Sequence, residues 1–265
     1  MAHLVFATGV RMPVIQGAVA GALLAVMALI LSASVGQIVA SAVTTWVPVL
    51  LLAALARYWR SLTLTLQVSV IIAIVGVLAF YVVLGDPTDF WNEVVTASAA
   101  LFRESGLIEQ ADLLLDSRSL IVPQLTMLFV FLTWSLYVIV LLFGYALYQC
   151  LPGKSGVYGR FCDLNYGRVV AVIMAVTSLA AMATGAVWLQ NTAFVVFAVF
   201  WLQGLAILHW LHAAQRMPLF VLVIAYAVSL VPFVNVLLVI SMAVLGYTDA
   251  WFDFRARARL RDDRV

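Results

Sequence analysis

Charge is what this sequence has least of. Only 10% of its 265 residues are Asp, Glu, Lys or Arg, against about 25% in an ordinary soluble domain. So few charges cannot cover the surface of a water-soluble chain of this size. The shortage excludes a soluble enzyme, a disordered segment and a nucleic-acid-binding module. Lysine is nearly absent, with Lys154 standing alone among fourteen basic residues. Cysteine is limited to Cys150 and Cys162, too few for a disulfide framework or a four-ligand zinc site. HExxH and GxSxG are missing, which removes the common metal- and serine-hydrolase readings.

What is present is apolar: 66% of the residues are hydrophobic. They come in long unbroken runs and not in alternation, which excludes an outer-membrane barrel. In lipid every backbone polar group must be paired internally, so such runs have to be helices. The expected fold is all-α, a polytopic transmembrane helical bundle. Six firm spans are expected at Pro13–Ser32, Val39–Ala56, Leu62–Leu84, Val122–Tyr148, Val169–Trp188 and Ala193–His212. Arg11 precedes the first run as in a signal peptide, but the run is read as an uncleaved span. A seventh apolar region, Pro218–Leu245, carries Pro232 near its middle. It is read as a Pro-broken C-terminal hairpin, Met217–Leu230 then Pro232–Tyr247; the alternative is one kinked span. No internal repeat and no low-complexity linker is present, so residues 1–265 are read as a single integral-membrane domain.

The scarce charges are sorted. Arg11, Arg57, Arg60, Lys154, Arg160, Arg168 and Arg216 lie in alternate connections, which the positive-inside rule places in the cytoplasm. The N-terminus is then cytoplasmic, and so is the basic tail 249–265 if the hairpin forms. The connection 85–120 is acidic, with Asp86, Asp89, Glu93, Glu104, Glu109, Asp112 and Asp116. It is expected on the periplasmic side of a bacterial inner membrane. Asp86-Pro87-Thr88-Asp89 is a helix-start signal. Phe90, Trp91, Val94, Val95, Leu101 and Phe102 then recur at near-helical spacing. An amphipathic helix is expected there, with a second near Leu107–Leu115. It reads as a lid or as an interfacial connector.

Polar side chains inside the spans are few, and no Asp, Glu, Lys or Arg lies at mid-depth. A charge there would cost about 2.5–3.5 kcal/mol on insertion scales. Its absence argues against an ion-coupled pump. Gln203, beside Gly204, is the candidate for touching a neutral polar solute; the alternative is a helix–helix hydrogen bond. Trp134 and Tyr137 are read either as wall residues of an aromatic solute pocket or as interfacial anchors. His209 and His212 share a helix face without a third ligand nearby, so no metal is assigned. Gly153-Lys154-Ser155 lacks the upstream glycine and strand of a phosphate loop, so no cofactor is assigned.

Several stretches are distinctive together: Thr44-Thr45-Trp46-Val47-Pro48-Val49-Leu50, then Tyr148-Gln149-Cys150-Leu151-Pro152-Gly153 running on to Phe161, Asp163, Leu164 and Arg168. Span six adds Trp201-Leu202-Gln203-Gly204-Leu205-Ala206. The end reads Gly246-Tyr247-Thr248-Asp249-Ala250-Trp251-Phe252-Asp253-Phe254-Arg255-Ala256-Arg257. In order and spacing these resemble the YybS-like family of membrane proteins, a family of unknown function, in its proteobacterial form. That family is distantly similar to the S components of energy-coupling-factor transporters. The resemblance implies a non-catalytic transport or solute-binding subunit, partnered by a transmembrane coupling subunit and ATPases. It transfers no catalytic, cofactor or metal residue.

The C-terminal motif is also readable from its residues. Asp249 and Asp253 are expected on one helix face, with Asp253 and Arg257 as an i,i+4 pair. Asp249, Trp251, Asp253, Arg255 and Arg257 are the candidate docking residues for a partner, the alternative being a stop-transfer end against anionic lipid. The expected function is therefore that of a multi-pass transport or solute-binding subunit. A membrane scaffold or assembly factor is the alternative. In either case the bilayer is a partner and no enzymatic activity is expected.

Overall fold

A computed structural model of the chain describes residues 5–7, 35–229, 231 and 234–262. The expected first span, Pro13–Ser32, lies outside the described residues, as does the end of the tail. Among the described residues the secondary structure is helical, without a strand. Helix α1 runs Val35–Trp59 and α2 Leu62–Leu84, followed by α3 (Thr88–Glu104), α4 (Ile108–Asp116) and α5 (Arg118–Gln149). A loop with a short 3-10 turn at Phe161–Asp163 leads to α6 (Gly167–Thr184) and α7 (Val187–Ala213). The chain ends with α8 (Leu219–Ser229), α9 (Val234–Phe252) and α10 (Phe254–Asp262).

Five of these helices are long and apolar enough to cross a membrane: α2, α5, α6, α7 and the Asn235–Phe252 part of α9. They are what a multi-pass membrane protein requires. Helix α7 differs from the others. Its apolar window is 72% buried inside the protein, against 17–33% for the other four. A helix that is apolar all round and enclosed by protein is an interior helix.

Two expected boundaries are corrected. The span at Val169–Trp188 stops at Thr184, because Gly185 takes a left-handed φ of 66° and its N–H caps the Ala181 carbonyl at 2.9 Å. Helix α7 then begins at Val187, before the expected Ala193. In the C-terminal region α8 ends at Ser229 and α9 begins at Val234, and the chain bends at Val231 between them. The two helices are unequal, however. Helix α8 has 11 residues, and at about 1.5 Å per residue it falls well short of the hydrocarbon core of about 30 Å. Helix α9 has 19 residues and continues through the Gly-x-x-Asp motif to Phe252, past the expected end at Tyr247.

The chain divides into two compact units, and the division runs through α2, α5 and α7. One comprises Met1–Ser69, Trp134–Asn165 and Ala206–Leu219; the other comprises Val70–Thr133, Tyr166–Leu205 and Phe220–Val265. In the first unit Phe6 is buried among Tyr145, Tyr148 and Tyr158, at ring-centroid distances of 5.2, 5.7 and 5.4 Å. Arg57 holds that segment by donating to the Val5 and Phe6 carbonyls at 3.1 and 3.0 Å. The loop is tied in by the Leu62 N–H, which donates to the Tyr158 carbonyl at 2.7 Å. Burial pushes the Tyr158 phenol above its ordinary pKa.

In the second unit α3 and α4 form where amphipathic helices were expected. Asp86 Oδ1 accepts from the Thr88 N–H at 3.0 Å and the Thr88 hydroxyl at 2.7 Å, which fixes the start of α3. Trp91, Val95 and Val122 form a core with Phe80, Leu114, Leu115 and Leu125 around it. Trp91 stacks on Phe80 at 5.8 Å and donates Nε1–H to Thr126 Oγ1 at 2.8 Å. An Arg103–Asp112 ion pair of 2.7 Å ties α3 to α4.

Candidate functional site

The most constrained place in the second unit is where α7 and α9 touch at two glycines. A Cβ on Gly204 would run into the carbonyl oxygen of Met242, and one on Gly246 into the carbonyl oxygen of Phe200. Only glycine permits backbones this close. The sequence places a polar residue beside each contact, Gln203 on α7 and Asp249 one turn beyond Gly246. Both are completely buried.

The close approach brings these side chains together. Gln203 Nε2 donates to Asp249 Oδ2 at 3.0 Å, and Gln203 Oε1 accepts the Tyr166 N–H at 2.8 Å. Asp249 Oδ2 also accepts from Arg255 Nε at 3.2 Å and Nη2 at 2.7 Å. Asp249 Oδ1 accepts the Phe254 N–H at 3.1 Å. Arg255 is 4% exposed. A buried charge is tolerable only when paired and hydrogen-bonded, and here the carboxylate has a donor on each oxygen. The cluster joins α7, α9, the start of α10 and the turn ahead of α6.

The local chain makes this possible. Helix α9 ends at Phe252, and Asp253 takes a left-handed φ of 47°. That turn redirects the backbone so that Arg255 folds back onto Asp249. The ion pair that forms is Asp249–Arg255, six residues apart. The expected arrangement differs because Asp253 is not within α9: it no longer shares a helix face with Asp249, and both Asp253 and Arg257 are exposed. Trp251 is partly exposed and edge-on to Tyr247 at 6.2 Å.

The candidate docking residues therefore separate into two sets. Asp249 and Arg255 are interior and hold the fold, whereas Trp251, Asp253 and Arg257 reach the surface. The candidate solute contacts are engaged as well. Both ends of the Gln203 amide serve the cluster just described. Trp134 Nε1 donates to Ser69 Oγ at 3.0 Å in the first unit. There too, the Tyr137 hydroxyl donates to the Thr44 carbonyl at 2.6 Å. His209 meets the edge of Phe161 at 5.3 Å, and His212 Nδ1 lies 3.2 Å from the Met217 carbonyl. Among the described residues no group of three or more His, Cys, Asp or Glu could hold a metal ion.

Sequence reasoning missed Gly246 and Tyr166 as parts of this cluster. The signal for Gly246 was available: a glycine one turn before an aspartate, on a span able to face Gln203-Gly204. Tyr166 contributes through its backbone N–H, for which the sequence carries no signal. Among the described residues, Ser135 Oγ in the first unit and Trp201 Nε1 in the second are buried without a hydrogen-bond partner.

No family model matches the chain, and neither a curated protein nor a solved structure is significantly similar to it.

Proposed function

We propose that this chain is a multi-pass protein of a bacterial inner membrane that acts as a scaffold or assembly factor, through contacts with other proteins and without catalysis of its own. One observation carries the reading. The buried Gln203 and Trp134 and the half-buried Tyr137, the side chains a neutral solute would need, all give their polar atoms to the protein itself. Side chains already engaged in this way suit a bundle whose business is at its surface. The proposed orientation keeps the N-terminus and the basic tail in the cytoplasm and α3–α4 outside.

The second reading is a solute-binding subunit similar to S components, working with a coupling subunit and ATPases. It is favoured by Trp201 Nε1 in the second unit, a buried polar atom that a bound solute would satisfy. Gentle extraction from native membranes, followed by mass spectrometry of proteins and small molecules, separates the two. Stoichiometric membrane partners without ATPases support the scaffold. Co-purified ATPase subunits together with a retained small molecule refute it. Phosphatase fusions at Gly106 and after Val265 test the orientation, with activity expected only at Gly106.

A further inference from the structure

Helix α3 carries two apolar strips, and the protein uses one. At about 100° per residue, Trp91, Val95 and Ala99 fall in one line along the helix. These three are its buried residues. Phe90, Val94 and Leu101 fall in a second line beside the first, and they stay exposed at 41%, 38% and 62%. Asp89, Glu93, Arg103 and Glu104 occupy the remaining side, so the second strip is flanked by charge on one edge only.

The flanking helices indicate what the free strip meets. Only Gly85, Asp86 and Pro87 separate α3 from the end of α2, and only Ser117 separates α4 from α5. The nearest turns of those two spans are themselves exposed and apolar, with Val82 at 84%, Val83 at 78% and Leu120 at 73%. A helix pair leashed this closely to the ends of two spans stays at the level where hydrocarbon gives way to headgroups. A strip of Phe, Val and Leu there is continuous with the lipid-facing surface of α2 and α5. The acidic side disfavours an anionic surface as the attraction, so the contact is with acyl chains and glycerol of zwitterionic lipid.

From the exposed Phe90–Val94–Leu101 strip and the short connections of α3 to α2 and of α4 to α5, we infer that α3 beds in the interfacial layer of the bilayer, with phospholipid covering the strip. The inference rests on the multi-pass reading.

The test is site-directed nitroxide labelling of the full chain in phosphatidylcholine vesicles. Cys150→Ser and Cys162→Ser clear the background. Single cysteines are placed at Val94 and Leu101 on the strip, at Glu93 on the charged side, and at the exposed Leu132 in the middle of α5. Oxygen partitions into lipid, and a nickel chelate stays in water. The expected result is a high oxygen-to-nickel accessibility ratio at Leu132, a lower one that still favours oxygen at Val94 and Leu101, and an inverted ratio at Glu93. If Val94 and Leu101 resemble Glu93 while Leu132 favours oxygen, the strip faces water and the inference falls. If the strip labels are shielded from both reagents, another protein surface covers them and it falls as well. If Leu132 favours nickel, the membrane reading itself fails.

Discussion

Substituting Gly204 with alanine adds one methyl group at the tightest place in the second unit. That methyl would lie 2.7 Å from the carbonyl carbon and 2.8 Å from the Cα of Met242. These are backbone atoms of a helix, so they cannot rotate aside as a side chain would. Helices α7 and α9 must part locally to seat it. Overpacking of this kind costs about 1–3 kcal/mol. Parting also stretches the 3.0 Å bond from Gln203 to Asp249, and a hydrogen bond to a charged group contributes about 1.5–3 kcal/mol. Gly204→Ala is therefore expected to lose roughly 3–5 kcal/mol of stability. Gly76→Ala is the control, because its Cβ meets only Val130 Cγ1, at an ordinary 3.7 Å. There alanine should hold or raise stability, since glycine inside a helix costs about 0.5–1 kcal/mol relative to alanine. Titration of the protein in mixed micelles with SDS, followed by tryptophan fluorescence, measures both. Equal midpoints for the two variants would refute the close-contact argument.

Three further outcomes follow from the same geometry. Asp249→Leu or Arg255→Leu alone leaves an opposite charge buried and should cost about 3–5 kcal/mol, whereas the double variant recovers most of it; the SDS midpoints of the three variants show whether the losses add. Trp91→Phe keeps a ring against Phe80 but removes the indole N–H bond to Thr126 Oγ1, for a loss of about 0.5–1.5 kcal/mol read as a lower unfolding temperature. The two bonds from Thr88 hold the Asp86 carboxyl below the ordinary carboxylate pKa. A lowered folded pKa means that its contribution is complete above the ordinary value and is lost as pH falls through the lowered one. Amide exchange over residues 88–91 should accelerate in that acidic window, and Asp86→Ala should abolish the dependence.

The parts of this fold that were legible in the sequence are those governed by local rules. Leu62–Leu84 was bounded correctly because its apolar run is interrupted at both ends. Helices α3 and α4 were visible through the Asp-Pro-Thr-Asp start and the helical spacing of Phe90, Trp91 and Val94. The break expected within Pro218–Leu245 agrees with the bend at Val231 between α8 and α9. The Asp249–Arg255 pair was not legible, because spacing rules assume that a helix continues. The left-handed turn at Asp253 breaks α9 and brings a partner six residues away into reach. The tie between Gln203 and Asp249 was hidden for another reason. It joins positions 46 apart in the chain, and only the meeting of Gly204 with α9 makes them neighbours.

The Asp249–Arg255 pair also bears on how the chain is made. Asp249 lies inside an apolar window long enough to cross a membrane. A lone acidic residue near the end of such a segment penalises transfer from the translocon into lipid by less than the roughly 2.5–3.5 kcal/mol of a central one. Its counter-charge is encoded six residues downstream, so the ribosome supplies it almost at once. The last span can close its own ion pair before it finds α7. Gln203 then serves the later step, recognising a segment that reaches it already neutralised.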